Sequence, residues 1–141
     1  MKKILLSFCL TLIAVLQHGM AQNRQVSPND ITGLYWSPKK DAKIEIYKKG
    51  EQYFGKSAWV ATPGKDSKNP KAFLRSREVL GIELLTHFSW NNGTYTGGEI
   101  YDPESGKTYD CKMTPEGNKL KVRGYIGISL FGRTEYFERI N

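Results

Sequence analysis

Hydrophobic and polar residues alternate along most of the chain, in short runs. In residues 42–48 Ile44 and Ile46 share one face, and in residues 119–123 Leu120 and Val122 do the same. The same period of two appears in residues 51–61, 108–113 and 135–140. This period is typical of β-strands that have one face in a core and one in solvent. The pattern predicts seven to nine strands, and no run of ten or more residues has a helical period.

Short groups of turn-forming residues separate the predicted strands. They are Lys49-Gly50, Asn91-Asn92-Gly93, Pro103-Glu104-Ser105-Gly106 and Pro115-Glu116-Gly117-Asn118. Such links favour hairpins because they tolerate the positive φ of tight turns. Strands joined in this way form an antiparallel meander, and closing the meander removes its exposed edges. We therefore expect an all-β fold, an antiparallel up-and-down barrel of about eight strands, with a β-sandwich as the alternative.

One connection is much longer than the others. Residues 62–78 are basic, contain Pro70 and leave room for a short helical turn. Connections of this length in a compact domain are usually functional or mobile. This segment is the first place to look for a contact surface.

The first 21 residues have the composition of a secretory signal. Lys2 and Lys3 precede an uncharged, mostly apolar run of 13 residues, and Gly19-Met20-Ala21 fits a cleavage site. The run is too short for a membrane span, which needs roughly 20 residues. The alternatives are a buried core helix or a retained anchor. We expect residues 1–21 to be a signal peptide, residues 22–31 a flexible polar lead and residues 32–141 a single barrel domain, exported to the periplasm or the extracellular space.

Charge and composition narrow the classes of partner. Hydrophobic residues make up 39% of the chain and charged residues 25%, as in ordinary globular proteins. Loss of Lys2 and Lys3 with the signal would lower the formal net charge from +7 to +5. The basic residues form no stripe with a recognition motif, so no nucleic-acid partner is predicted. The remaining charge favours anionic ligands or envelope surfaces.

Few residues are suited to catalysis. Downstream of the signal the chain has one cysteine, Cys111, and one histidine, His87, which excludes an internal disulfide and a Cys/His zinc site. Glu83, Glu99 and Asp102 are candidates for a glycosidase-like carboxylate pair, but scattered acids on strands usually face solvent or pair with arginine. We expect a non-catalytic protein without metal or cofactor.

Residues near the two ends of the barrel domain suggest how it closes. Trp36 follows Gly33-Leu34-Tyr35 in the first predicted strand, and Arg139 lies in the last. An arginine of the last strand that stacks on an aromatic ring of the first would contribute about 0.5–2 kcal/mol. We therefore assign Trp36 and Arg139 to barrel closure, with an ordinary core tryptophan as the alternative.

Several segments resemble successive motifs of the domain of unknown function 2147 family. They are YFGK (residues 53–56), Asp66 with Lys68-Asn69-Pro70, Arg75 and Arg77, GGEIYDPESGKTY (residues 97–109) and LKVRGYIGISLFGRT (residues 120–134). Lys71, Glu78 and Phe137 depart from the family pattern. The resemblance implies an exported bacterial protein with a lipocalin-like fold, and it supplies no activity. It also directs attention to polar residues packed among aromatics, which include Lys107.

These observations favour a binding module over a hydrolase. A barrel of about eight strands holds either its own side chains or one small ligand, and guanidinium groups at its mouth bind carboxylate or phosphate. We expect a small, amphiphilic or lipid-like anion as ligand, bound by Lys56, Trp59, Asn69, Arg75, Arg77, Tyr101, Tyr109, Arg123 and Arg133. The alternative role of the arginines is to form salt bridges with Glu83, Glu99 or Asp102. The alternative function is an envelope module with a filled barrel that holds a protein partner through residues 62–78.

Overall fold

The protein is a closed barrel of eight antiparallel strands. The computed structural model describes residues 31–141, so the predicted signal peptide and most of the predicted lead lie outside the described residues. The strands are β1 (Gly33–Trp36), β2 (Ala42–Lys49), β3 (Gln52–Val60), β4 (Glu83–Asn91), β5 (Thr94–Asp102), β6 (Lys107–Glu116), β7 (Lys119–Tyr125) and β8 (Arg133–Arg139). Short 3-10 turns lie at Ala72–Leu74 and Ser129–Phe131. Among these residues no helix has the length and apolar character needed to cross a membrane.

Each strand pairs with the next one in sequence, and β8 pairs with β1 to close the barrel. The closing ladder is short: Tyr35 lies opposite Arg139, and Trp36 lies opposite Glu138. Closure leaves no strand edge unpaired, which is how small antiparallel proteins avoid edge-to-edge association. The predicted up-and-down barrel is confirmed.

Large side chains fill the barrel. The predicted inward faces of β2, β6 and β7 are confirmed, since Ile44, Ile46, Cys111, Met113, Leu120 and Val122 are all buried. Tyr35, Tyr53, Leu85, Phe88, Tyr95 and Phe137 belong to the same buried cluster. Tyr95 touches the rings of Tyr53 and Trp90 edge-on, at centroid distances of 4.9 and 5.0 Å. An eight-stranded barrel is just wide enough for such side chains, so the aromatic residues fill the interior.

Two irregularities change which side chains face inward. In β3, Ala58 has no partner between the pairs Lys43–Trp59 and Ile44–Ser57, so Trp59 turns outward and is 41% exposed. The period of two places Trp59 on the same face as Tyr53, but in the barrel Tyr53 is buried and Trp59 is not. In β4, His87 adopts a positive φ of 62°.

The seven connections lie alternately at two ends of the barrel, because the strands run up and down. Three tight turns at residues 50–51, 92–93 and 117–118 form the turn end. The connections at residues 37–41, 61–82, 103–106 and 126–132 form the loop end. Pro115, predicted in a turn, lies in β6 opposite Leu120. Ile31, predicted in the flexible lead, is fully buried, and its carbonyl accepts a hydrogen bond from Tyr35.

Candidate functional site at the loop end

The longest connection, residues 61–82, is organised around one buried carboxylate. Asp66 is 0% exposed, and it accepts hydrogen bonds from Tyr101 Oη at 2.5 Å, Asn69 Nδ2 at 2.8 Å and Arg77 Nε at 2.9 Å. Three of the predicted ligand-binding residues therefore surround a residue of their own chain. Asp66 belongs to the segments that resemble the family, but no pattern in the sequence indicated that it is the centre of the group.

The electrostatics of this cluster favour a charged Asp66. Burial alone raises the pKa of the carboxyl group, but the hydrogen bonds from Tyr101, Asn69 and Arg77 and the charge of Arg77 outweigh it. The pKa of Asp66 therefore lies below its usual value. Burial, together with the hydrogen bond to Asp66 and its negative charge, raises the pKa of Tyr101 to about 12. At neutral pH the protonated hydroxyl of Tyr101 therefore donates a hydrogen bond to an ionised carboxylate.

Further contacts fix this connection in place. Arg75 Nε donates to the carbonyl oxygen of Asn69 at 2.7 Å, and the amide of Lys71 donates to Asn69 Oδ1 at 2.8 Å. At Gly106, in the β5–β6 turn, a Cβ atom would lie 2.0 Å from the carbonyl oxygen of Lys68. The segment is therefore pinned closely to the neighbouring hairpin.

Arg123 holds the β7–β8 connection in a similar way. Its Nε and Nη2 donate to the carbonyl oxygens of Ser129 and Leu130 at 2.7 and 3.2 Å, and Nη1 donates to Thr134 Oγ1 at 2.7 Å. All three guanidinium nitrogens have protein partners. Arg123 thus supports a loop where an anion was expected.

The other predicted ligand-binding residues lie apart from these groups. Lys56 pairs with Glu45 at 3.4 Å and lies over the ring of Tyr47, and Arg133 pairs with Glu135 at 2.7 Å. Tyr109 is half-buried beside Gly124, whose Cβ would lie 3.6 Å from it. The acids that pair with these arginines are Asp66 and Glu135, whereas Glu83, Glu99 and Asp102 were predicted.

Barrel closure involves a different ring from the one expected. The guanidinium carbon of Arg139 lies 4.9 Å from the ring centroid of Tyr35, and Nη1 donates to the carbonyl oxygen of Thr32 at 3.0 Å. Trp36 instead faces the outer wall, where Lys43 lies 4.8 Å from its ring centroid. Adjacent strand residues point to opposite faces, so Tyr35 and Trp36 cannot both meet the arginine. Trp59 packs edge-on against Trp36 at 5.9 Å.

The candidate catalytic residues have separate local partners. Glu83 pairs with Lys49 at 3.1 Å, Asp102 accepts hydrogen bonds within the β5–β6 turn, and His87 packs edge-on against Phe54 at 5.0 Å. Burial raises the pKa of the Cys111 thiol to about 12, so this thiol is not a nucleophile at neutral pH. Within residues 31–141 no group of three or more His, Cys, Asp or Glu is placed to hold a metal ion.

Two surface cavities are described, and neither includes a residue of the buried interior cluster. One, of about 270 Å³, lies on the outer wall of β6 and β7 and is lined by Lys112, Thr114, Lys121 and Arg123. The other, of about 450 Å³, is lined by Arg77, Glu78, Leu80, Gly81, Ile82 and Glu83. Of the predicted ligand-binding residues, Arg123 lines the first of these cavities and Arg77 the second.

The loop end carries a set of exposed apolar side chains that the sequence reasoning missed. Within the described residues eight large hydrophobic side chains are exposed, and six belong to the two connections discussed above. We call these six the apolar rim: Phe73, Leu80, Ile126, Ile128, Leu130 and Phe131. The remaining two are Trp59 and Tyr136, on the barrel wall. The available signal was the uncharged, largely apolar composition of residues 125–132.

Comparisons with known proteins agree with this geometry. A similar solved structure is that of protein HP1028 from the human pathogen Helicobacter pylori, described as a member of the lipocalin family. The two have a TM-score of 0.72 and 21% sequence identity, over 79% of this chain and 84% of that chain. At this identity the likeness shows the fold alone, which is lipocalin-like. None of the curated proteins compared with the chain matches it.

The family assignment covers the whole barrel. Residues 33–139 match the family described as "Uncharacterized protein conserved in bacteria (DUF2147)". These residues include the Asp66 cluster, Arg123 and all six side chains of the apolar rim. The chain therefore belongs to the DUF2147 family of bacterial proteins, as its motifs indicated.

Proposed function

We propose that the protein is an exported, non-catalytic interaction module whose filled barrel supports a contact surface at the loop end. The observation that carries this proposal is the apolar rim. Four of its side chains, Phe73, Ile126, Leu130 and Phe131, are 75–79% exposed. The tight turns at the opposite end contribute no exposed large hydrophobic residue within the described chain. Four of the six side chains lie close together in one short connection, residues 126–132, and a contiguous exposed apolar patch usually marks an interaction site.

The filled interior argues against a ligand cup as the main function. Phe88, Leu85 and Met113 are 0% exposed in one continuous cluster. The arginines expected to hold an anion are occupied by Asp66, Glu135 and backbone carbonyls. A ligand in the barrel would have to displace these side chains, so the surface supports binding better than the interior does.

The absence of catalysis in this proposal rests on the separation of the titratable groups. Glu83 and Asp102 are held by different partners on different strands, and His87 packs against a phenylalanine ring. General acid–base chemistry needs such groups to converge on one reacting atom. Export rests on the composition of residues 1–21.

Site-specific crosslinking in the intact bacterium tests the proposal. A photoactivatable residue is placed at Leu130, in the apolar rim, and in a matched variant at Asn92, in the turn end. We expect covalent adducts, to protein or to lipid, from position 130 at several times the yield from position 92. Equal yields from the two positions would contradict a contact surface at the loop end.

A thermal-shift screen tests the filled barrel. Fatty acids, isoprenoids, haem and phospholipid monomers are added to the purified protein below their aggregation limits. A ligand at about 100 times its dissociation constant adds roughly 2.7 kcal/mol, which is on the order of 10 °C in a domain of this size. We expect no change in melting temperature with any of these compounds. A rise of this size would instead favour a small anionic ligand bound in the barrel.

A further inference from the structure

We infer that the apolar rim docks on the surface of an anionic lipid bilayer. This inference rests on the proposed function and names the partner of that surface. It is carried by an uncharged, exposed loop tip, by unpaired cations beside the second tip, and by the position of both at one end of a rigid barrel.

The β7–β8 connection has the character of an inserting tip. Residues 125–132 contain no charged side chain, and Ile126, Ile128, Leu130 and Phe131 are 56–79% exposed. Arg123 anchors the backbone of this connection through Ser129 and Leu130. The tip is therefore held in shape while its apolar side chains remain in water. Interfacial binding scales with the apolar area that such a surface buries in the lipid.

The β3–β4 connection adds positive charge to its own apolar residue, Phe73. Residues 61–82 contain five basic and two acidic side chains. Both acids are used within the segment, Asp66 by Arg77 and Glu78 by Lys65. Three basic residues have no carboxylate partner among the described residues: Lys68, Lys71 and Arg75. Basic groups beside an apolar surface are attracted to the negative potential of anionic lipids.

The two connections can contact one flat surface at the same time. They lie at one end of the barrel and are separated by four strands in its closed order, so they stand on opposite sides of the mouth. Two contact points across the mouth would hold the barrel upright, with the turn end pointing away from the bilayer. A second copy of this chain fits less well, because a face-to-face dimer would bring the same unpaired cations together.

Vesicle flotation tests the inference on the protein as the bacterium exports it, with the amino terminus established by mass spectrometry. The vesicles contain phosphatidylethanolamine and phosphatidylglycerol in a 3:1 ratio, and pure phosphatidylcholine vesicles are the comparison. We expect at least roughly tenfold tighter binding to the anionic vesicles at low salt, with most of the difference lost at about 0.5 M salt because screening shortens the reach of the charges.

Matched variants separate the apolar from the electrostatic contribution. Leu130→Ser with Phe131→Ser should weaken binding to both vesicle types at least tenfold, whereas Tyr136→Ser, an exposed residue of the wall, should not. Lys68→Gln with Lys71→Gln should weaken binding to anionic vesicles roughly tenfold and flatten its salt dependence. Lys119→Gln, beside the turn end, is the control. All six side chains lie outside the core, so the melting temperatures should stay unchanged.

An environment-sensitive dye reports which end enters the lipid. Phe131→Cys and Asn92→Cys are labelled in turn, since Cys111 is fully buried and does not compete for the label. We expect a blue shift on anionic vesicles from position 131 alone.

The outcomes of these experiments distinguish the inference from the proposed function. Binding that is equal for all variants, or a shift at both labelled positions, overturns lipid docking. Absence of vesicle binding, together with strong crosslinks from Leu130 to a protein, also overturns it and leaves the proposed function standing. If the wild type self-associates and the variant with Leu130→Ser and Phe131→Ser does not, the apolar rim binds a second copy of the chain, and lipid docking is overturned. Absence of both vesicle binding and crosslinks removes the inference and the proposed function together.

Discussion

A single buried carboxylate organises residues 61–82, the longest connection between the described strands. Asp66 has its two oxygens occupied by Tyr101, Asn69 and Arg77. Removing one partner of such a group leaves the others desolvated and unpaired, which costs more than the hydrogen bond itself contributes. The residues that resembled a binding site are therefore needed to keep the connection folded.

Substitution of Asp66 should destabilise the protein. Asp66→Asn removes the negative charge and leaves Arg77 without its ion-pair partner, so we expect a loss of about 1–3 kcal/mol in the free energy of unfolding. Denaturant titration at neutral pH measures the loss. Asp110→Asn, on the exposed outer wall, is the control and should change stability by less than about 0.5 kcal/mol.

The pH dependence of that difference tests the charge on Asp66. The pKa of the carboxyl is lower in the folded state than in the unfolded chain. Its contribution is therefore fully present above the unfolded value of about 3.9 and declines as the pH falls toward the folded pKa. The stability difference between wild type and Asp66→Asn should be constant from about pH 7 to 5 and shrink below about pH 4. A difference independent of pH would show that the carboxyl has the same pKa in the folded and unfolded states, and a difference that grows as the pH falls would show that Asp66 is protonated in the fold.

At the scale of elements, two glycines in hairpin turns show how a turn can constrain a neighbouring connection. Gly106 has a φ of +73° and faces the backbone of Lys68, so the β5–β6 turn and the 61–82 connection fit only if residue 106 has no side chain. Gly117 has a similar φ of +60°, but nothing lies within 4 Å of the position of its Cβ. The two glycines thus separate the cost of the backbone conformation from the cost of the close approach.

Alanine substitutions at these two glycines should differ in effect. Gly117→Ala should cost about 1–2 kcal/mol, the penalty of a left-handed conformation for a residue with a Cβ. Gly106→Ala should cost at least about 1–3 kcal/mol more, because the backbone of Lys68 must also move. Thermal unfolding of the two variants and the wild type measures both. Equal losses would mean that the connection is free to shift away from the hairpin.

At the scale of the whole molecule, the barrel interior is a packed core. The ring of Phe88 leaves no space over Gly98, where a Cβ would lie 2.5 Å from it. The interior rings of Tyr53, Tyr95 and Trp90 pack against one another.

Creating a cavity should therefore create a binding site that the wild type lacks. Phe88→Ala should cost about 3–5 kcal/mol, on the order of 10–20 °C in melting temperature, and should gain stability from benzene because an apolar cavity stays dry and accepts it. Leu120→Ala is a milder second variant. The melting temperature of the wild type should not respond to benzene, and an equal rise in wild type and variants would show that the native barrel is open.

The alternating pattern and the turn residues predicted the strands, their antiparallel order and most inward faces. Local chemistry is sufficient for this, because the two-residue period and the hairpin turns act over a few neighbouring positions. Trp59 is the exception, because the unpaired Ala58 in β3 turns it outward. A bulge of this kind depends on the partner strand, which a single strand does not specify.

The sequence by itself determined an eight-stranded barrel, a family and a set of polar residues worth attention. Only the tertiary structure decided what those residues do, because Asp66 meets Tyr101 of β5, and the partners of Arg123 and Arg139 come from other connections and strands. It also decided that the interior is filled and that the exposed apolar side chains gather at one end. These two features depend on the diameter of the closed barrel and on which connections lie at the same end, and no single run of residues specifies either.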